Sequence, residues 1–186
     1  MTIHASLARR GLGAVVAGAT LLALAVAAAP ASAQVACNPL PGPQGANPSV
    51  DAAHIFCGEI NAGGHAVGFH SRPGGQNPVT VNHTNNTQAT GTPGVYNIRQ
   101  FNIFPPGQPQ NARVKAVSTM FPDHCSQANV LAAIRNAQAN PAGAQPQGGF
   151  RGPSGNSCQD TNGNDFTIQG FYAPNNPNLI RTAYPN

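Results

Sequence analysis

The chain has no tryptophan, a single lysine (Lys115) and a single glutamate (Glu59), and only 8% of its 186 residues are charged. So sparse a charge excludes a polybasic surface that would hold nucleic acid by bulk electrostatics alone. Scarce carboxylates also argue against a carboxylate-rich metal site. No CxxC pair is present, which removes a zinc ribbon, and no HExxH, which removes the zinc protease helix. Neither Gly63-Gly64 nor Gly74-Gly75 is followed by the Lys-Ser/Thr of a phosphate loop, so no nucleotide cofactor is indicated. No Ser-His-Asp or Cys-His nucleophile pattern stands out. Beyond the first thirty residues there is no second long apolar run, so the remainder carries no membrane span.

What the chain does have begins with an export signal. Arg9 and Arg10 precede an uncharged stretch, residues 11–29, whose centre reads LLALAVAAA, and the stretch closes on Ala31-Ser32-Ala33. That order of basic, apolar and small residues is a cleaved signal peptide over residues 1–33, with Gln34 as the new N-terminus. The apolar centre is short for a membrane anchor. Cleavage leaves residues 34–186, one ordinary domain, and the formal charge falls from +4 to +2 once Arg9 and Arg10 are gone. The expected location is extracellular and the expected state a monomer. Four cysteines remain, Cys37, Cys57, Cys125 and Cys158. An even number in an exported chain points to two disulfides. Three pairings exist; Cys37–Cys57 with Cys125–Cys158 closes the shorter loops.

Residues 34–49 read as an irregular lead-in rich in Pro, Gly, Asn and Ala. Residues 50–60 start the fold, and residues 65–70 alternate as a strand after the Gly63-Gly64 turn. Residues 79–83 are a short strand, 85–94 a polar loop, and 95–104 and 112–121 longer strands. Residues 126–139 are the clearest helix, ended by Asn140-Pro141. Residues 140–149 are a loop, and 166–172 and 179–184 a hairpin about a turn at 173–178. The sum is an α+β fold, mostly antiparallel sheet with one or two helices.

Two histidines stand out. His54 opens HIFCGEI and His70 closes the glycine-rich segment GGHAVGFHS. Near the C-terminus Thr182 and Tyr184 lie two apart, and in a strand such residues share a face. Taken singly each has a plain reading: a hydrogen-bonded structural histidine, or β-formers in a terminal strand. Zinc held by His54, His65 and His70 is a rival reading. His83 and His124 have no motif around them and read as surface residues. Glu59 either orients a histidine or stands alone at the surface.

The order HIFCGEI, GGHAVGFHS, a strand ending STMFPD, then FTIQGFY and LIRTAYPN resembles the bacterial EndoU nuclease family over residues 50–186. The resemblance implies an endoribonuclease. Its two catalytic histidines fall on His54 and His70, and its C-terminal Thr-x-Tyr pair on Thr182 and Tyr184. The basic residue falls on Lys115 or, as in some toxin members, just after the second histidine, where Ser71 and Arg72 stand as substrate-binding candidates. Cys57 beside the first histidine departs from the family pattern. The implied chemistry needs no cofactor: one imidazole takes the 2′-hydroxyl proton, the other protonates the leaving 5′-oxygen, and a cation faces the phosphate. Which histidine is acid and which is base is left open. Single-stranded RNA is the implied partner, with an immunity protein if the role is toxin-like, and some relatives allow manganese to modulate activity. The rival from another class is a non-catalytic secreted module on the same fold that binds RNA or a surface polymer.

Overall fold

The computed structural model describes Met1 and residues 34–186 apart from Asn85. The signal peptide expected over residues 1–33 lies outside the described residues. The elements, in chain order, are β1 (Ser49–Val50), a single wide helical turn of π type (Ala53–Cys57), β2 (Glu59–Ile60), β3 (Ala66–Val67), a 3-10 turn (Pro73–Gly75), β4 (Val81–Asn82), β5 (Thr87–Ala89), β6 (Tyr96–Ile103), a second 3-10 turn (Pro109–Asn111), β7 (Arg113–Met120), α1 (Gln127–Ala139), β8 (Gly149–Pro153), β9 (Thr167–Ala173) and β10 (Asn176–Pro185). The architecture is α+β. Two four-stranded sheets carry the molecule, and every strand pair is antiparallel except β1 with β10. No described helix is long and apolar enough to cross a membrane.

The first sheet runs in the order β1-β10-β9-β8. Its inner face carries Phe150, Ile168, Ile180 and Ala183, all buried, against α1. The helix forms where the sequence predicts one. Ser126 caps it by accepting from the Asn129 amide at 3.2 Å. Val130, Ile134 and Ala137 recur at helical spacing and are fully buried. Filling a core of this kind stabilises by about 2–5 kcal/mol per large aliphatic side chain, as judged by truncation to alanine.

In the second sheet β6 pairs along its length with β7, and on its other edge with β5 and β4. Beneath it lies a smaller core of Phe69, Val81, Ile98, Phe101, Ile103 and Met120. The alternation of β6 switches at Gln100, whose φ is 49°. Ile98 and Phe101, three apart, are both buried for that reason. Their partners across the ladder are Ser118 and Lys115. Directly opposed residues share a face, so both turn toward the interior edge of β7.

Two disulfides hold the loops, Cys37–Cys57 and Cys125–Cys158, the pairing with the shorter closures. The first ties the lead-in to the last residue of the π turn. The second ties the entry of α1 to the segment before β9.

Four local expectations are corrected. The strand expected over residues 65–70 is confined to Ala66–Val67, because Gly68 and Phe69 both take positive φ, 75° and 59°. The loop expected over 85–94 contains β5, which polar Thr87 and Gln88 form by pairing to the edge of β6. Residue 149, assigned to the loop 140–149, instead begins β8. The turn expected over 173–178 is tighter: Asn175 takes φ 60° and β10 begins at Asn176.

Candidate active site

His54 sits inside the π turn and His70 on the segment that follows β3. The two segments are stitched backbone to backbone: Phe69 N–H donates to His54 O at 2.7 Å, and His70 N–H to Ile55 O at 2.7 Å. Gly68 makes this approach feasible. A Cβ at 68 would lie 2.3 Å from the His54 carbonyl oxygen, and φ there is +75°. Phe69 follows in the left-handed region although it is a fully buried phenylalanine. Such a conformation costs about 1–3 kcal/mol and collects at functional sites. The result is a histidine pair with ring centroids 6.0 Å apart, both 7% exposed.

Each imidazole is held by its Nδ1. Glu59 Oε1 accepts from His54 Nδ1 at 3.0 Å. The His70 Nδ1 lies 3.1 Å from the Thr119 carbonyl oxygen and 3.1 Å from Ser118 Oγ, which itself donates to Phe69 O at 2.6 Å. A backbone carbonyl can only accept, so His70 carries its neutral-state proton on Nδ1. In both rings Nε2 is the atom left for a substrate.

The charges around the pair differ. His70 is held well below the usual histidine range, first by burial, then by the positive charge of Lys115 and by His54. Lys115 is itself pushed down to about 8 by burial. Glu59 is held below the usual carboxylate range, first by the hydrogen bond from His54, then by the Arg181 guanidinium, against the opposing effect of its own burial. Arg181 bridges Glu59 and Asp51. Asp51 in turn accepts the His54 backbone N–H at 3.0 Å, an end-of-helix cap three residues back.

Tyr184 packs its ring 5.2 Å from that of His70. Thr182 lies on the same strand, its Oγ1 buried and without a hydrogen-bond partner. A register shift in β10 between Ile180 and Thr182 explains their neighbour Arg181. Ile180 and Ala183 are both fully buried although three apart. Arg181 and Thr182 therefore both leave the core face, as a β-bulge permits. Simple alternation would have sent Arg181 away from Thr182 and Tyr184, so the sequence hid its role. Asp51 was more legible, since an Asp just before a helical turn commonly accepts a backbone N–H of its first residues. The sequence held no signal for Ser118 and Thr119 as partners of His70.

Ser71 follows His70 with its Oγ buried and unpartnered. Arg72 points into a separate network. Its Nε donates to Tyr96 Oη at 2.6 Å, its Nη2 lies 3.2 Å from Asp123 Oδ2, and its Nη1 lies 3.1 Å from His83 Nε2. Its charge is thereby engaged with Asp123, whereas Lys115 has no carboxylate partner among the described residues. His83 is half-buried in that network rather than a plain surface residue, and its pKa is lowered by burial and by Arg72. His65 and His124 are exposed.

A hollow of about 300 Å³ opens beside Tyr184, lined also by Thr119, Asn97, Thr90 and Thr92. Two larger hollows, about 470 and 440 Å³, lie elsewhere, and none of the three is lined by His54 or His70. The pair thus brings together two imidazoles with free Nε2 atoms, a half-buried ammonium and an adjoining aromatic, groups able to move protons and to face negative charge. No curated protein and no solved structure matches the chain. The model of the family described as bacterial EndoU nuclease matches residues 49–186, a span holding both histidines, the lysine and the terminal strand, and the chain belongs to that family.

Proposed function

We propose that this nuclease cleaves single-stranded RNA by transphosphorylation, leaving a 2′,3′-cyclic phosphate. The carrying observation is the unequal histidine pair. His70, neutral at pH 7 because it is buried beside Lys115, serves as base through Nε2. It takes the proton of the 2′-hydroxyl as that oxygen attacks the adjacent phosphorus. His54, with Glu59 against Nδ1, serves as acid and gives its Nε2 proton to the leaving 5′-oxygen. Lys115 faces the charge that builds on the phosphorane oxygens. Thr182 offers its unpartnered hydroxyl to a phosphate or base edge. Tyr184 stacks on sugar or base, and the hollow beside it seats a nucleoside portion.

Base, acid and cation are all supplied by side chains, so the proposed reaction needs no metal and persists in a chelator. Export rests on residues 1–33 and on the two disulfides, which persist in oxidising compartments. A toxin-like use with an immunity partner rests on the family resemblance. The mechanism is tested with an RNA carrying one 2′-deoxy residue at the cleavage position. Cleavage there should cease while neighbouring ribose positions are still cut. Cutting of an all-deoxy strand at a comparable rate would refute it.

A further inference from the structure

Across the outer face of the first sheet runs a hydrogen-bonded row that the reaction does not use. The ladder places Tyr184 opposite Gln169, and Gln169 opposite Arg151. Gln169 Nε2 donates to Tyr184 Oη at 3.2 Å, and Gln169 Oε1 accepts from Arg151 Nη2 at 2.9 Å. One amide therefore joins the tyrosine beside His70 to a guanidinium two strands away, about 10 Å at ~4.8 Å per strand. Arg151 Nε is buried and has no hydrogen-bond partner. No carboxylate comes within ion-pair distance of Arg151 among the described residues, although Asp165 and the C-terminal Asn186 line the hollow at its side. Phe171, half-buried, lies on the same face, opposite Thr182.

An arginine with no carboxylate partner among the described residues, steadied by a glutamine and lying in line with the site, is built to receive an anion. Guanidinium forks match phosphate geometry. This hollow and the one beside Tyr184 share Phe166 and Asn186 in their linings. The row Tyr184-Gln169-Arg151 lays a line of polar groups from the tyrosine beside His70 to Arg151.

We propose that Arg151, positioned by Gln169, binds a phosphate of the RNA outside the cleaved linkage, so that the substrate site extends across three strands. This rests on the nuclease reading above. It makes the enzyme prefer oligonucleotides to dinucleotides.

The test compares kcat/KM of the full secreted protein on a hexanucleotide RNA and on a dinucleotide, over a range of salt. Wild type should favour the hexanucleotide. Arg151→Gln should shrink that advantage about fivefold and lower the salt slope of log kcat/KM by about 0.7, the release expected for one single-strand phosphate contact. Arg151→Lys should keep the slope. A second arm leaves the protein unaltered and replaces single phosphates flanking the cleavage position by neutral methylphosphonates. One position should cost wild type the same factor, and Arg151→Gln should be indifferent to it. If every flanking position is silent in wild type, or Arg151→Gln keeps the full advantage and slope, the inference fails while the nuclease reading stands. If wild type cuts neither RNA, the nuclease reading fails and takes this inference with it.

Discussion

Two residues set the chemistry apart by their surroundings rather than by their type. His70 and His54 are both imidazoles, yet one rests on a carbonyl beside an ammonium and the other on a carboxylate tied to Arg181. The pH profile should show this. The proposed mechanism requires His70 neutral, and its pKa is lowered, so the acid limb of kcat/KM should lie below pH 6.5. Stability moves the same way. The unfolded chain binds the extra proton as pH falls through 6.5, so folding loses free energy in that direction. On the alkaline side Lys115 loses its charge near pH 8, and the rate should fall there. Lys115→Arg should carry that limb upward. A limb unmoved by this change would contradict the role given to Lys115.

At the residue scale His54, His70, Lys115, Thr182 and Tyr184 could be picked out only together, through the order of motifs that resembles the family, since each alone has a plain structural reading. Arg181 was not, because a bulge overrules alternation. In sequence Lys115 is the favoured basic residue and Arg72 its alternative. Only the fold shows its guanidinium committed to Asp123 and Tyr96.

Among the elements, the π turn and the segment after β3 matter most, since together they set the distance between the histidines. Gly68→Ala puts a methyl group against the His54 carbonyl, which is backbone and cannot swing aside. The substitution should lower kcat more than tenfold, a displacement effect of the kind that costs up to about 10²-fold per ångström. Melting curves alongside the assay separate misplacement from unfolding. A Gly68→Ala enzyme of wild-type rate would refute the stitch.

Cys57 ends the same turn, and its disulfide closes a sequence separation of 20. Replacing Cys37 and Cys57 by serine should cost about 2–4 kcal/mol of stability in denaturant melts. Activity should fall further than stability alone explains, because His54 loses its tether. Ile134→Ala in α1 is the contrasting case. It should cost about 2–5 kcal/mol, yet leave kcat near wild type below the melting temperature. The helix was plain in the sequence because spacing, cap and stop agree. The short strands were not. β5 is polar and forms only because β6 offers it an edge, and the strand at His70 ends where Gly68 and Phe69 turn.

Over the whole molecule, two cores with separate linings meet at the histidine segment. The larger is braced by both disulfides, and the smaller carries Lys115 and Ser118 on β7. The site draws on both: His54 and β10 from one, β7 from the other, and His70 between them. The fold class was readable from the count of short strands around one good helix. The meeting of the two sheets was not, since it depends on contacts far apart in sequence, such as His70 against Tyr184 on β10 and against the Thr119 carbonyl on β7.

The most direct measurement is cleavage of a short mixed-sequence RNA in EDTA by the purified protein, with His70→Ala alongside and the new ends identified by mass. The account predicts 2′,3′-cyclic phosphate ends from wild type and a rate lower by about 10²–10⁴ in the variant. Ends bearing 3′-hydroxyl groups, or a His70→Ala protein that cuts as fast as wild type, would contradict it.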